Sequence, residues 1–128
     1  MIGMSAAIAQ GVMTSTLDVD IWVDLPARQY MRVLNVARQL GATVAANTVV
    51  YLQDGTPVNF VYDVTGLGKF AAESKGVPRV AIAGHPTPVL PLRKIVQSKA
   101  AIGRDKDRLH VNLIREFLRC RRGLMRRG

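Results

Sequence analysis

The pair Asp54-Gly55 stands between two β-rich runs, ATVAANTVVYLQ and TPVNFVYDV. A tight two-residue turn wants positive φ at both central positions, and Asp-Gly supplies this at little steric cost. A β-hairpin is therefore the first element the chain specifies. Pairing through that turn sets Gln53 opposite Thr56 and Val50 opposite Asn59.

The flanking patterns supply the rest of the fold. Residues 2–10 read as a short helix stopped by Gly11. Residues 18–25 alternate, with Val19, Ile21 and Val23 on one face and Asp18, Asp20, Trp22 and Asp24 on the other. Pro26 opens a helix to residue 40, where a missing N–H costs nothing. Tyr30, Val33, Leu34, Ala37 and Leu40 recur at helical spacing, and Gly41 ends the run. Beyond the hairpin, a short helix is expected over 66–75, a strand over 78–83, and a loop around His85-Pro86 and Pro88. Helices follow over 92–102 and 107–121, separated by a break at 103–106. The order predicts an α/β (α+β) fold: a mixed sheet with a central hairpin, covered by helices. Residues 1–121 form one domain, and 122–128 form a basic tail expected to fray.

Composition narrows the setting. With 128 residues and 48% hydrophobic content, the chain can bury a core. No apolar run approaches the ~20 residues of a membrane span. The first residues are apolar but lack the basic start of a signal peptide. Cys120 is the single cysteine, so no internal disulfide forms, and a cytoplasmic location is expected. The net charge of +9 is lopsided. Residues 1–64 hold three basic residues against five acidic ones, while residues 65–128 hold fifteen against four. Such asymmetry points to an anionic partner, nucleotide or nucleic acid, with a solvated basic surface as the plain alternative.

The chemistry concentrates in STLDVDIWVDL. Asp18 and Asp20 are two apart on a strand and so share a face. Like charges held together favour a cation between them, and Mg²⁺ or Mn²⁺ suits hard carboxylate ligands completed by substrate phosphates. Upstream, Gly3 allows close backbone approach, and Ser5 can donate to a phosphate oxygen or cap its helix. His85 and His110 have no second ligand at zinc spacing, so no zinc site is expected. Trp22 shares the carboxylate face and can stack a base, although packing against a helix is the simpler role.

With these residues in view, the chain resembles the nucleotidyltransferase superfamily of DNA polymerase β-like fold. The resemblance is to its small members related to abortive-infection and toxin–antitoxin nucleotidyltransferases. The matching residues are Ile2-Gly3-Met4-Ser5-Ala6, Thr16, Asp18, Asp20, Ile21 and Val23. At the other end, Lys99, Arg104, Lys106 and Asp107 lie in a lysine helix followed by an arginine-lysine-aspartate turn. The resemblance implies Asp18 and Asp20 as catalytic metal ligands on a nucleoside triphosphate. It implies Gly3, Ser5, Lys99 and Arg104 as nucleotide-binding residues. The third family carboxylate falls at Asn59, a neutral side chain. Asp63 is the nearest substitute, about 13 Å further along a regular strand, so it would need the strand to bend. The implied partners are a nucleotide and an acceptor, RNA or protein. A catalytically degenerate nucleotide- or RNA-binding module and a structural partner-binding domain, such as a homodimer, are the alternatives.

Overall fold

The computed structural model describes residues 1–127, with side chains through Leu124. Helix α1 (Gly3–Ala9) precedes strand β1 (Val19–Trp22) and helix α2 (Ala27–Gln39). Strands β2 (Thr43–Ala46), β3 (Val49–Tyr51) and β4 (Pro57–Val61) follow, then helix α3 (Phe70–Glu73). Strands β5 (Arg79–Ile82) and β6 (His85–Pro88) lead to helices α4 (Leu92–Ile102) and α5 (Asp105–Arg127). Among the described residues, the main sheet has the order β1-β4-β3-β2. β1 runs parallel to β4, and the other pairs are antiparallel, so the sheet is mixed with the expected hairpin at its centre.

The hairpin register differs by one residue from expectation. Val50 faces Val58 and Val49 faces Asn59, so the loop is three residues, 53–55. Leu52 and Thr56 close it (N–H to O, 2.9 Å), and Gly55 donates to the Leu52 carbonyl at 2.9 Å. Only Gly55 takes positive φ, at 88°. Asp54 stays out of that region, and its carboxylate accepts the Thr56 N–H at 2.9 Å. This is the longer hairpin solution, a turn followed by one left-handed residue. It sets the buried Val50 and Val58 side by side on one face.

Two further turns replace expected continuity. The run 43–53 is not one strand; it reverses at Asn47-Thr48, with Val44 opposite Val50. Asparagine tolerates turn geometry without help from Gly or Pro, and Tyr30 donates its hydroxyl proton to the Asn47 carbonyl. Residues 85–88 are not a loop but strand β6, paired with β5 through Ala83-Gly84 at φ 51° and 79°. Pro86 and Pro88 fit because alternate positions of a two-stranded ribbon turn their N–H sites outward.

Both faces of the sheet are covered. Tyr30 and Leu34 of α2 pack on Val50, Val58 and Phe60, with Val19, Ile21 and Val23 alongside. On the other face, Trp22 and Val61 join Met4, Ala6, Leu92, Ile95 and Ile114 from α1, α4 and α5. Trp22 meets the Phe70 ring edge-on at 5.5 Å and donates its indole N–H to the Tyr62 carbonyl at 2.9 Å. It is thus a packing residue rather than an exposed stacking surface. α4 has its expected bounds and ends on Gly103, whose φ is 73°. α5 is longer than expected at both ends. The tail from Arg122 continues as helical backbone to Arg127, and Gly128 lies outside the described residues. No helix among the described residues is long and apolar enough to cross a membrane. Cys120 is free and exposed.

Candidate functional site

β1 and β4 fix the heart of the site. Their parallel register sets Asp20 beside Asn59, so both side chains occupy one sheet face. Asn59 Nδ2 donates to Asp20 Oδ1 at 3.0 Å. The segment before α1 lies along the outer edge of β1, where Ile2 donates its N–H to the Asp20 carbonyl at 2.9 Å. Gly3 follows at φ 65°, and a Cβ there would stand 2.6 Å from Asp20 Oδ2. The absence of a side chain at Gly3 is what admits the Asp20 carboxylate.

A cleft of ≈270 Å³ opens at this point. It is lined by Gly3, Asp20, Asp63, Ser98, Lys99 and Arg104, among others. Residues 20 and 3 come from the start of the chain, whereas 98, 99 and 104 come from α4 and the turn into α5. The β4 strand ends at Val61 with a bend at Tyr62, and Asp63 thereby reaches the cleft wall. A larger cavity of ≈580 Å³ lies between β1, α3 and the β5–β6 ribbon, with Trp22 and Phe70 in its wall. That space is mostly apolar. The smaller cleft collects the opposed ionisable groups and is the candidate site.

The cationic wall is held by a network that begins on Asp107. This carboxylate is fully buried. Arg104 grips it with Nε at 2.6 Å and Nη2 at 3.2 Å, and its backbone N–H donates to the same group at 3.2 Å. The backbone contact is the return half of a capping box at the start of α5. Asp107 is thus the acid that closes the start of α5, whereas the neighbouring Asp105 is fully solvent-exposed. Lys99 Nζ lies 3.6 Å from Asp107 Oδ1 and 3.0 Å from His110 Nδ1. Hydrogen bonds from Arg104, with the charges of Arg104 and Lys99, hold the Asp107 carboxyl below the usual carboxylate range despite its burial. Burial pulls the Lys99 ammonium below the ordinary lysine value, an effect opposed by Asp107 and Asp20. Burial and the Lys99 charge also lower His110, which favours a neutral ring able to accept at Nδ1.

Two sequence candidates stand apart. Ser5 is not in the cleft wall; its hydroxyl donates to the Ile2 carbonyl at 3.0 Å and lies 3.5 Å from the Asp20 N–H. It braces α1 on β1. Asp18 is exposed, one residue before β1, with its N–H 3.4 Å from Thr16 Oγ1. Asp107 and His110 are the network members that spacing alone did not single out as site residues. Their signal was the i, i+3 step from Arg104 to Asp107 to His110 at a helix start.

The donor set bears on any divalent ion. Among the described residues, no three histidine, cysteine or acidic side chains converge in ligand geometry. Asn59 presents N–H, not oxygen, to Asp20. The residues fit one cation on aspartate oxygen completed by phosphate oxygens. They do not fit a two-ion centre with a bridging third carboxylate. Compared with known proteins, the chain matches no family model, no curated protein and no solved structure.

Proposed function

We propose that the chain is a nucleotidyltransferase-like domain that binds a Mg²⁺–nucleoside triphosphate in the Asp20–Lys99 cleft. The observation that carries this reading is the pairing of one partly buried carboxylate with two cations across a space lined by a side-chain-free Gly3. Lys99 and Arg104 offer charge and free N–H donors to phosphate oxygens. Arg104 commits two of its guanidinium nitrogens to Asp107, which fixes the plane that a phosphate would meet. Asp20 would hold the cation, whose chemistry is to neutralise the triphosphate oxygens. Transfer would require an acceptor hydroxyl to attack the α-phosphorus as its bond to the bridging oxygen breaks and pyrophosphate leaves. The acceptor's proton needs a base. Asn59 cannot take it, and Asp63 is the remaining acid of the cleft wall.

With an amide at 59 and only the exposed Asp63 left to take the proton, the cleft favours retention of nucleotide with little turnover, since loss of a positioned base typically costs 10²–10⁴-fold in rate. Calorimetric titration of ATP and GTP with Mg²⁺ tests the reading. Wild-type protein should bind with a metal-dependent signal, and the Asp18→Asn/Asp20→Asn variant should lose at least tenfold in affinity. Absence of binding in both proteins would end the nucleotide reading.

A further inference from the structure

We infer that the arginines along one flank of α5 form a track for the phosphate backbone of a single-stranded RNA, opening at the cleft. The inference rests on the nucleotide reading for the cleft end of the track alone; the flank itself is an independent feature. Arg104 lines the cleft. Arg108, Arg115, Arg119 and Arg122 follow it at steps of 4, 7, 4 and 3 residues, read directly from the sequence. At 3.6 residues per turn the four on α5 fall within an arc of about 60°, and at 1.5 Å per residue they span about 21 Å. All four of the later arginines are exposed. They run beside the buried Val111 and Ile114, of which Ile114 joins the core.

The charge of the flank selects a polyanion. Residues 104–122 hold seven basic side chains against three acidic ones. Of those acids, Asp107 is buried within the cleft network. The other two make exposed contacts, Asp105 with Arg108 at 3.6 Å and Glu116 with Arg119. Exposed pairs of this kind are weak and screened by salt, so phosphates can displace them. Arginine is the better residue for such contacts, because its planar fork meets phosphate oxygens in pairs. The flank offers no exposed aromatic ring for base stacking; Phe117 lies under Arg121, whose guanidinium carbon is 5.6 Å from the ring centre. Recognition is therefore of backbone rather than of base sequence. A cleft of ≈270 Å³ at the head of the track has room for a strand end and not for a duplex.

The experiment is fluorescence anisotropy of a labelled oligouridylate against salt, with wild-type protein and the Arg115→Gln/Arg119→Gln/Arg122→Gln variant. The variant should bind at least tenfold more weakly at low salt. Its slope of log affinity on log salt should be shallower by about 2, the counterion release of three phosphate contacts on a single strand at about 0.7 each. The triple Arg→Lys variant should retain most of the binding and the slope, which excludes a helix defect as the cause. Mg²⁺–ATP titration should be unchanged in both variants. Conversely, Asp18→Asn/Asp20→Asn should lose ATP and keep RNA, so the two readings fail separately. Equal RNA affinity in wild type and the Gln variant overturns the track. So does tighter binding of a duplex of equal length, or of polyglutamate with the same arginine dependence.

Discussion

Replacing Asp107 with asparagine should lower stability by about 3 kcal/mol, the usual cost of removing one partner from a buried ion pair. In urea, with a slope near 1.5 kcal/mol per M, the midpoint should fall by about 2 M. The cause is local. Asp107 is fully buried and is the counter-charge of Lys99, whose side chain is only 12% exposed. Asparagine keeps one oxygen for Arg104 but leaves the lysine charge without compensation. Asp105→Asn is the control: Asp105 is exposed and its contact with Arg108 is 3.6 Å, so the midpoint should not move. Equal effects of the two substitutions would reject Asp107 as the organiser of the turn.

The same residue sets an acid limit. Because the folded Asp107 carboxyl lies below its ordinary value, its stabilisation is complete above the unfolded pKa of about 3.9. It is lost as pH falls from there toward the depressed folded value. His110 acts earlier. Its folded pKa is lowered, so the unfolded chain takes up the proton first, and stability should begin to decline as pH falls through about 6.5. Urea midpoints from pH 8 to pH 3 should therefore show two descents. In His110→Gln the upper one should shrink to the contribution of the Met1 amine, which burial also lowers, while the lower one stays.

Much of this architecture was legible because period and punctuation agree. Leu92–Ile102 carries apolar residues at helical spacing between Pro91 and Gly103, and both bounds are met. The alternation in β1 assigned its two faces, and the parallel register with β4 then brought Asp20 to Asn59. Turns without strong signals were not legible. Asn47-Thr48 reverses a run of β-formers, and Ala83 adopts φ 51° where a glycine would have advertised the turn. The hairpin register depended on whether Asp54 or only Gly55 took positive φ, and a carboxylate contact to Thr56 decided that. At the site, Gly3, Asp20, Asp63, Lys99 and Arg104 come together in one cleft wall. Periodicity gives a face, not a distance, so it could not separate Asp20 from Asp18, or turn Ser5 toward Ile2 instead of the cleft. The central role of Asp107 was hidden for another reason. A buried acid is normally excluded by its desolvation cost, and only the fold brings Arg104, Lys99 and a backbone N–H around it.

Asn59→Asp should convert the cleft from a one-carboxylate to a two-carboxylate ion site. The parallel register holds residue 59 beside Asp20, and the present amide contact is 3.0 Å. Replacing the amide removes a donor and puts two carboxylates in that contact. Without a divalent ion the pair repels, so one member should keep its proton to higher pH than an ordinary carboxyl. The variant should then be less stable than wild type at neutral pH by about 1–3 kcal/mol, the cost of an unmet polar group. Addition of Mn²⁺ should reverse this. If the ion binds only the folded state, a concentration of 100 times its dissociation constant adds about 2.7 kcal/mol. The melting temperature of Asn59→Asp should therefore climb steeply with Mn²⁺, while wild type, with an N–H facing Asp20, should climb far less. Thermal denaturation of both proteins across a Mn²⁺ titration reads the difference directly. Parallel curves would mean that residues 20 and 59 do not share an ion. A steeper curve for the variant would mean that the β1–β4 register retains a metal-binding geometry that a single amide closes.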